Sequence, residues 1–144
     1  MKEKAHETAV RAWARLVRAQ QSALGGVEAD LKAAGFPPLV WYDVLLELDR
    51  AAEGSLRHKD IERGMLLQRY HVTRIVERME REGLVRRLPC PDDARGALAE
   101  ITQKGRDLRQ RMWPVYAAAI ERHFGRHFTQ QELSQLGVLL GRLS

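Results

Sequence analysis

The sequence predicts a mainly α-helical chain with one small β-hairpin. Three observations carry this expectation. Apolar residues recur at i, i+3, i+4 and i+7 along much of the chain, the spacing of one helix face. Val85 to Leu88 and Leu98 to Ile101 read as two short strands, and Pro89, Pro91, Asp92, Asp93 and Gly96, all turn formers, lie between them. A capping box, Thr129-Gln-Gln-Glu132, opens a leucine-striped stretch near the C-terminus.

Taken in order, residues 6–24 read as a first helix. Val10, Trp13, Leu16, Val17 and Leu24 form its apolar stripe, with Arg11, Arg15 and Arg18 beside it. Gly25 and Gly26 are expected to kink or end it, because glycine gives up the most backbone freedom in a helix. The pattern resumes at Val27 and Leu31, and Gly35 closes it. Phe36, Pro37 and Pro38 predict a turn into a second helix that starts near Trp41 and Tyr42 and buries Leu45 and Leu48. Gly54 breaks that element; Leu56 and Arg57 suit one short strand, and 58–65 suits a short helix with Ile61 inward.

The next helix is the most informative. Val72, Ile75, Val76 and Met79 share one face. At about 100° per residue, Tyr70, Arg74, Glu77 and Arg81 fall opposite, with His71 and Arg78 flanking them. Gly83 stands where a left-handed C-terminal cap is wanted. Residues 84–101 follow as a β-hairpin with a long polar tip. Thr102 is placed as the N-cap of a long helix whose stripe is Leu108, Met112, Val115, Tyr116, Ala119, Ile120 and Phe124. A kink is expected at Pro114, and Gly125 ends the helix. The last helix aligns Leu133, Leu136, Leu140 and Leu143.

The chain has 144 residues, with 24 Lys and Arg against 19 Asp and Glu, a net charge of +5. A basic excess of this size fits a polyanionic partner but also an ordinary surface, so its position matters more than its total. Residues 68–88 hold six arginines (69, 74, 78, 81, 86, 87) against three glutamates (77, 80, 82); six minus three leaves +3 in that stretch. The single cysteine, Cys90, forbids an intrachain disulfide and fits a reducing compartment. The N-terminal residues lack the apolar core of a signal peptide, and no apolar run is long enough for a bilayer. A cytoplasmic chain with no membrane partner is expected. Gly-rich phosphate loops, a Gly-x-Ser-x-Gly elbow and Cys-x-x-Cys pairs are all missing, so nothing in the sequence points to an enzyme. His123 and His127 have helical metal-ligand spacing, but Gly125 between them breaks the geometry and no metal is expected.

A helix with one buried and one arginine-bearing face, followed by a basic strand, suits a DNA major groove. Helix, short strand, helix, arginine helix and two-stranded wing make a winged helix-turn-helix lobe. The chain resembles the MarR-type transcriptional regulators in three stretches. They are Val72-Thr-Arg-Ile-Val-Glu-Arg-Met-Glu-Arg-Glu-Gly-Leu-Val85, Arg87-Leu-Pro-Cys-Pro-Asp-Asp-Ala-Arg95 and Leu98-Ala-Glu-Ile-Thr-Gln-Lys-Gly105. Where the family usually starts its recognition helix with small hydroxyl residues, this chain has Gln68, Tyr70 and His71.

The resemblance implies a winged helix-turn-helix region over 36–101, and a helical dimerisation region over 1–35 and 102–144, intertwined as one domain. It implies a homodimer on duplex DNA, with Gln68, Arg69, Tyr70, His71, Thr73, Arg74 and Arg78 as recognition-helix contacts. Arg86 and Arg87 are expected at phosphates. The resemblance puts Arg95 in the minor groove, oriented by Asp93; the plainer alternative is a hairpin-tip ion pair. For Arg74 and Arg78 the plainer alternative is a solvated face paired with Glu77 and Glu82. Trp13, Trp41 and Tyr42 are candidates for a pocket holding a small aromatic effector, set against ordinary core packing. No cofactor is expected. Cys90 reads as an exposed wing cysteine rather than a redox switch. The alternative from another class is a winged-helix module that binds proteins and not DNA.

Overall fold

The structure, a computed structural model, describes residues 2–67, 71–90 and 93–144, with side chains described for all of these except 2–5, 90 and 93–97. The elements are α1 (Lys2–Ala33), α2 (Leu39–Arg50), β1 (Ser55–Arg57), α3 (His58–Gly64), α4 (Val72–Arg81), β2 (Val85–Cys90), β3 (Asp93–Ile101), α5 (Gln103–His123) and α6 (Gln130–Leu140). They fall into two units, Gly35–Pro114 and Met1–Ala34 with Val115–Ser144. The division cuts α5 after Pro114, whose ring nitrogen has no N–H for the helical ladder.

In the unit Gly35–Pro114, α2 buries Leu39, Val40, Tyr42, Val44, Leu45 and Leu48. Pro38 precedes it in an extended conformation, and Gly35 turns the chain there with φ +81°. Ile61 of α3 and Val72, Ile75, Val76 and Met79 of α4 complete the helical side of the core. The sheet side is antiparallel in the order β1-β3-β2. Arg86 faces Glu100 and Leu88 faces Leu98 across β2–β3, while Leu56 faces Ala99 across β1–β3. Tyr42 stacks on Trp113 at 6.2 Å between ring centroids. Asp49 of α2 binds two guanidiniums of α5, Arg106 through Nη1 and Arg109 through Nε at 2.6 Å.

Two sequence expectations change. The hairpin lacks its long tip, because β2 runs on to Cys90 and β3 starts at Asp93. From the pair Pro89–Ala97 to the pair Cys90–Asp93 the register advances one residue on β2 and four on β3, a bulge that takes in Gly96. β2 is an edge strand, where a proline such as Pro89 need not break the ladder. Helix α1, for its part, continues straight through Gly25 and Gly26. The reason at Gly26 is space: a Cβ there would overlap the His123 ring at Nδ1. That ring is held in place by a 2.9 Å bond from Nε2 to Asp30. Glycine is therefore retained for the close passage of α5 over α1, with the helix kept by that packing.

The unit that contains α1 also contains α6, opened by the expected capping box. Glu132 N–H donates to Thr129 Oγ1 at 3.1 Å, and Thr129 N–H donates to Glu132 Oε1 at 2.9 Å. Among the described residues no helix is long and apolar enough to cross a membrane.

The two neighbouring glycines should respond in opposite directions. A Cβ on Gly25 would meet nothing within 4 Å, so Gly25→Ala should stabilise the chain by about 0.5–1 kcal/mol. Gly26→Ala should destabilise it, by displacing His123 from Asp30 at a cost of about 0.5–1.5 kcal/mol before the steric term. Chemical denaturation of both variants, read as midpoints at equal slope, checks the pair; a rise in both would remove the packing role given to Gly26.

Candidate nucleic-acid interface

The winged lobe is built around α4, and both ends of that helix are pinned. At its entry, Asp43 is buried on α2 and accepts a 2.9 Å bond from the Leu67 N–H in the turn after α3. Burial raises the Asp43 carboxyl above the ordinary carboxylate range, with the Leu67 and Leu66 N–H groups pulling the other way. Glu47, one turn further along α2, is raised as well: burial outweighs the lowering effect of Arg50, and Asp43 adds to the rise. The Glu47 carboxylate lies over Gly64, where a Cβ would have to displace it.

At its exit, α4 closes with a Schellman motif. Leu84 N–H bonds Met79 O at 2.9 Å, Gly83 N–H bonds Glu80 O at 3.0 Å, and Gly83 has φ +77°. Helix α5 locks this turn. Thr102 caps α5 by accepting from Gly105 N–H at 3.1 Å, and its hydroxyl donates to Gly83 O at 2.6 Å. Lys104 Nζ reaches Glu82 O at 2.7 Å, placing a cation at the negative end of α4. A Cβ on Gly105 would overlap Leu84 O, so a side chain there would push the two elements apart.

With its inward face fixed, α4 turns Thr73, Arg74, Arg78 and Arg81 to solvent. Arg74 and Arg78 form no ion pair with a described residue. The alternative pairs with Glu77 and Glu82 do not occur, and both side chains lie on the exposed face with no ion partner among the described residues. Arg87 is committed to α4, 3.4 Å from Glu80 and 3.8 Å from Glu77, and Arg86 pairs with Glu100 across the hairpin. Pairs this exposed contribute about 0–1 kcal/mol, so a phosphate can compete for either arginine. His71 occupies the N-cap position outside the helix, with no side-chain cap on the first turn, rather than a helical position flanking the arginine face. His71 therefore does not cap the first-turn N–H groups, the helix end that favours an anion.

Gln68, Arg69 and Tyr70 lie outside the described residues, as does Asp92. Asp93 and Arg95 sit in β3 by their backbone, but their side chains, like that of Cys90, lie outside the described residues. The three aromatic pocket candidates belong to two different units. Trp41 and Tyr42 stand on α2, with Tyr42 buried against Trp113, whereas Trp13 stands on α1 and is 66% exposed.

Two polar residues outside the sequence-based candidate set, Asp43 and His58, bond to α4 or to the turn before it. Asp43 had one legible signal, an acid between Tyr42 and Val44 on an apolar helix face. His58 had none: its partner is Thr73, fifteen residues away, at 3.1 Å from Nδ1 to Oγ1.

The other unit presents a contrasting surface. An apolar groove of about 1220 Å³ runs along α1 to the C-terminal end of the chain, lined by Ala12, Trp13, Leu16, Phe124, Phe128 and Leu140 among others. No residue of α6 is buried. Val138, Leu139 and Leu143 are exposed as well.

The Asp43 anchor makes a prediction with a definite sign. Its folded-state pKa is raised, so its favourable contribution is complete below the ordinary value of 3.8 and is lost as pH rises through the folded value. Asp43→Asn keeps an acceptor for Leu67 without a buried charge. Its stability at pH 7 should equal or exceed that of the parent, and the advantage should shrink on acidification towards pH 4. Asp43→Ala leaves the Leu67 N–H unpaired and should cost about 1–3 kcal/mol at pH 7. Urea unfolding of both variants across that pH range tests the assignment, which would not survive an advantage of Asp43→Asn that grew on acidification.

The sequence signature of the MarR family matches residues 34–96. The chain is 32% identical over 111 residues to the uncharacterized HTH-type transcriptional regulator YkoM of Bacillus subtilis (strain 168), a match covering 77% of this chain and 70% of that protein. Its fold is similar, with a TM-score of 0.82, to Sco3205, a MarR family transcriptional regulator from Streptomyces coelicolor solved in complex with DNA; identity is 24%, over 92% of this chain and 83% of that one. It is also similar, with a TM-score of 0.79, to BpsR of Bordetella bronchiseptica, whose DNA binding is regulated by 6-hydroxynicotinic acid; identity is 20%, over 92% and 98% of the two chains. The two structures speak to the fold; the signature and the YkoM relative speak to descent. With a pinned arginine helix beside a three-stranded wing, they lead to one conclusion: the chain belongs to the MarR family of transcriptional regulators.

Proposed function

We propose that this protein is a homodimeric repressor that binds a pseudo-palindromic operator in duplex DNA and releases it when a small aromatic effector binds. The observation that carries the DNA reading is the pair of guanidiniums, Arg74 and Arg78, exposed and without an ion partner among the described residues, on a helix fixed at both ends. A guanidinium can donate two bonds to guanine O6 and N7, worth about 1–3 kcal/mol of discrimination. Arg86 and Arg87 on the adjoining strand, and Arg95 with Asp93 at the wing, extend the contact to phosphates and the minor groove.

The homodimer reading rests on the apolar groove and the unburied α6. Exposed apolar surface on this scale marks an interaction site. A twofold dimer sets two recognition helices about one helical turn of DNA apart. The effector reading has the likeness to BpsR behind it. An effector releases DNA only by binding the DNA-incompetent arrangement more tightly.

Selection from random DNA followed by anisotropy titration over a salt series tests the function. Affinity should fall steeply with salt through release of phosphate counterions, and a flat dependence would count against the interface. Arg74→Ala should relax base preference by about tenfold at one position, whereas Arg87→Ala should weaken all sequences alike. In sedimentation, Leu16→Glu should convert dimer to monomer with the winged lobe still folded; an unchanged mass would refute the groove as the dimer surface.

A further inference from the structure

His58 and Thr73 form a contact that the functions above do not use. His58 opens α3, and Thr73 lies in the first turn of α4 beside Arg74. The imidazole Nδ1 stands 3.1 Å from Thr73 Oγ1. The other ring nitrogen, Nε2, is buried and has no hydrogen-bond partner among the described residues. Neutral imidazole carries one N–H and one bare acceptor nitrogen. A buried N–H without an acceptor is rarer and costlier than a buried acceptor without a donor. The proton therefore belongs on Nδ1, where it is donated to Thr73 Oγ1. With that oxygen accepting from inside, the hydroxyl proton of Thr73 is left over and Thr73 is exposed.

We propose that His58 is a positioning residue of the DNA interface: by donating from Nδ1 it holds Thr73 and turns the Thr73 hydroxyl outward as a hydrogen-bond donor to an acceptor on DNA. This rests on the DNA-binding reading above. The acceptor is a phosphate oxygen or an acceptor atom on a base edge. Thr73 faces a polar groove of about 350 Å³ that also includes His71, Arg74, Glu62 and Glu77. The opposite tautomer would make Thr73 an acceptor from the outside and would strand a buried Nε2–H.

The surroundings keep the ring neutral. Burial lowers the His58 pKa below its ordinary value, and Arg87 on β2 lowers it further; Glu62 on α3 and Glu77 on α4 act in the opposite sense without reversing the shift. Protonation would place a second N–H at the partnerless Nε2 position.

Two measurements on the full chain test the assignment. Nitrogen-15 NMR of the free protein at pH 7.5 should show the His58 proton on Nδ1; a proton on Nε2 overturns the proposal. A double-mutant cycle then reads affinity for a duplex selected by the unmodified protein. Thr73→Val and His58→Leu should each weaken binding roughly tenfold or less, the scale of one hydrogen bond, and the double variant should be no weaker than Thr73→Val. His58→Asn, whose amide N–H stands near the Nδ1 position, should restore most of the loss, with folding verified by circular dichroism. Uniform loss over duplex sequences would assign the acceptor to phosphate, and loss confined to one base pair would assign it to a base edge; both support the donor role. Additive losses would overturn it while leaving the DNA reading intact. Failure of the unmodified chain to bind any sequence selectively would remove the DNA reading and this assignment together.

Discussion

The outward chemistry of the winged lobe depends on one constraint: α4 cannot rotate about its own axis. Val72, Ile75, Val76 and Met79 are buried on its inward face, and each contributes about 1.5–3 kcal/mol relative to exposure. A slip of one residue would swing that stripe by about 100° and expose it. Packing alone sets the rotation, while the two ends set the position along the axis. Asp43 holds the chain entering α4, and the Gly83–Leu84 turn, clamped by Thr102 and Lys104, holds the chain leaving it. A helix fixed in both senses can present Arg74 and Arg78 at a defined place, which base recognition demands.

Charge in this lobe is sorted by partner. Arg106 and Arg109 share Asp49 and serve to join α5 to α2. Arg86 and Arg87 have acidic partners on the hairpin and on α4, close enough to orient them and exposed enough to release them. Arg74 and Arg78 have none among the described residues. The division follows from geometry: the glutamates of α4 that point towards β2 meet Arg87, so they are engaged by the wing and leave the neighbouring arginines of the same helix uncompensated.

The buried polar groups have a related logic. Asp43 and the His58 ring each connect α4 or its entrance to an earlier helix. Burial disfavours the charged form of both, raising the aspartate and lowering the histidine. Directional bonds of this kind add little to stability but define which way the helix-turn-helix corner is made.

The sequence by itself determined the helices, the hairpin, the caps at Thr102 and Thr129 and the arginine-bearing face of α4, because periodicity, capping chemistry and turn formers act over a few residues. Gly83 was legible as a cap for the same reason. Tertiary structure alone decided matters set by residues distant in the chain. Helix α1 passes through Gly25 and Gly26, and position 26 is glycine because His123 occupies the space over it, which no local propensity contains. The hairpin tightened because β2 is an edge strand that accepts Pro89 and because a bulge took up Gly96. The pairing of Arg87 with Glu77 and Glu80, the anchoring of Leu67 by Asp43 and the contact of His58 with Thr73 all join segments that only folding brings together. Local rules placed the arginines on one face; long-range packing decided which of them remain free to meet a partner.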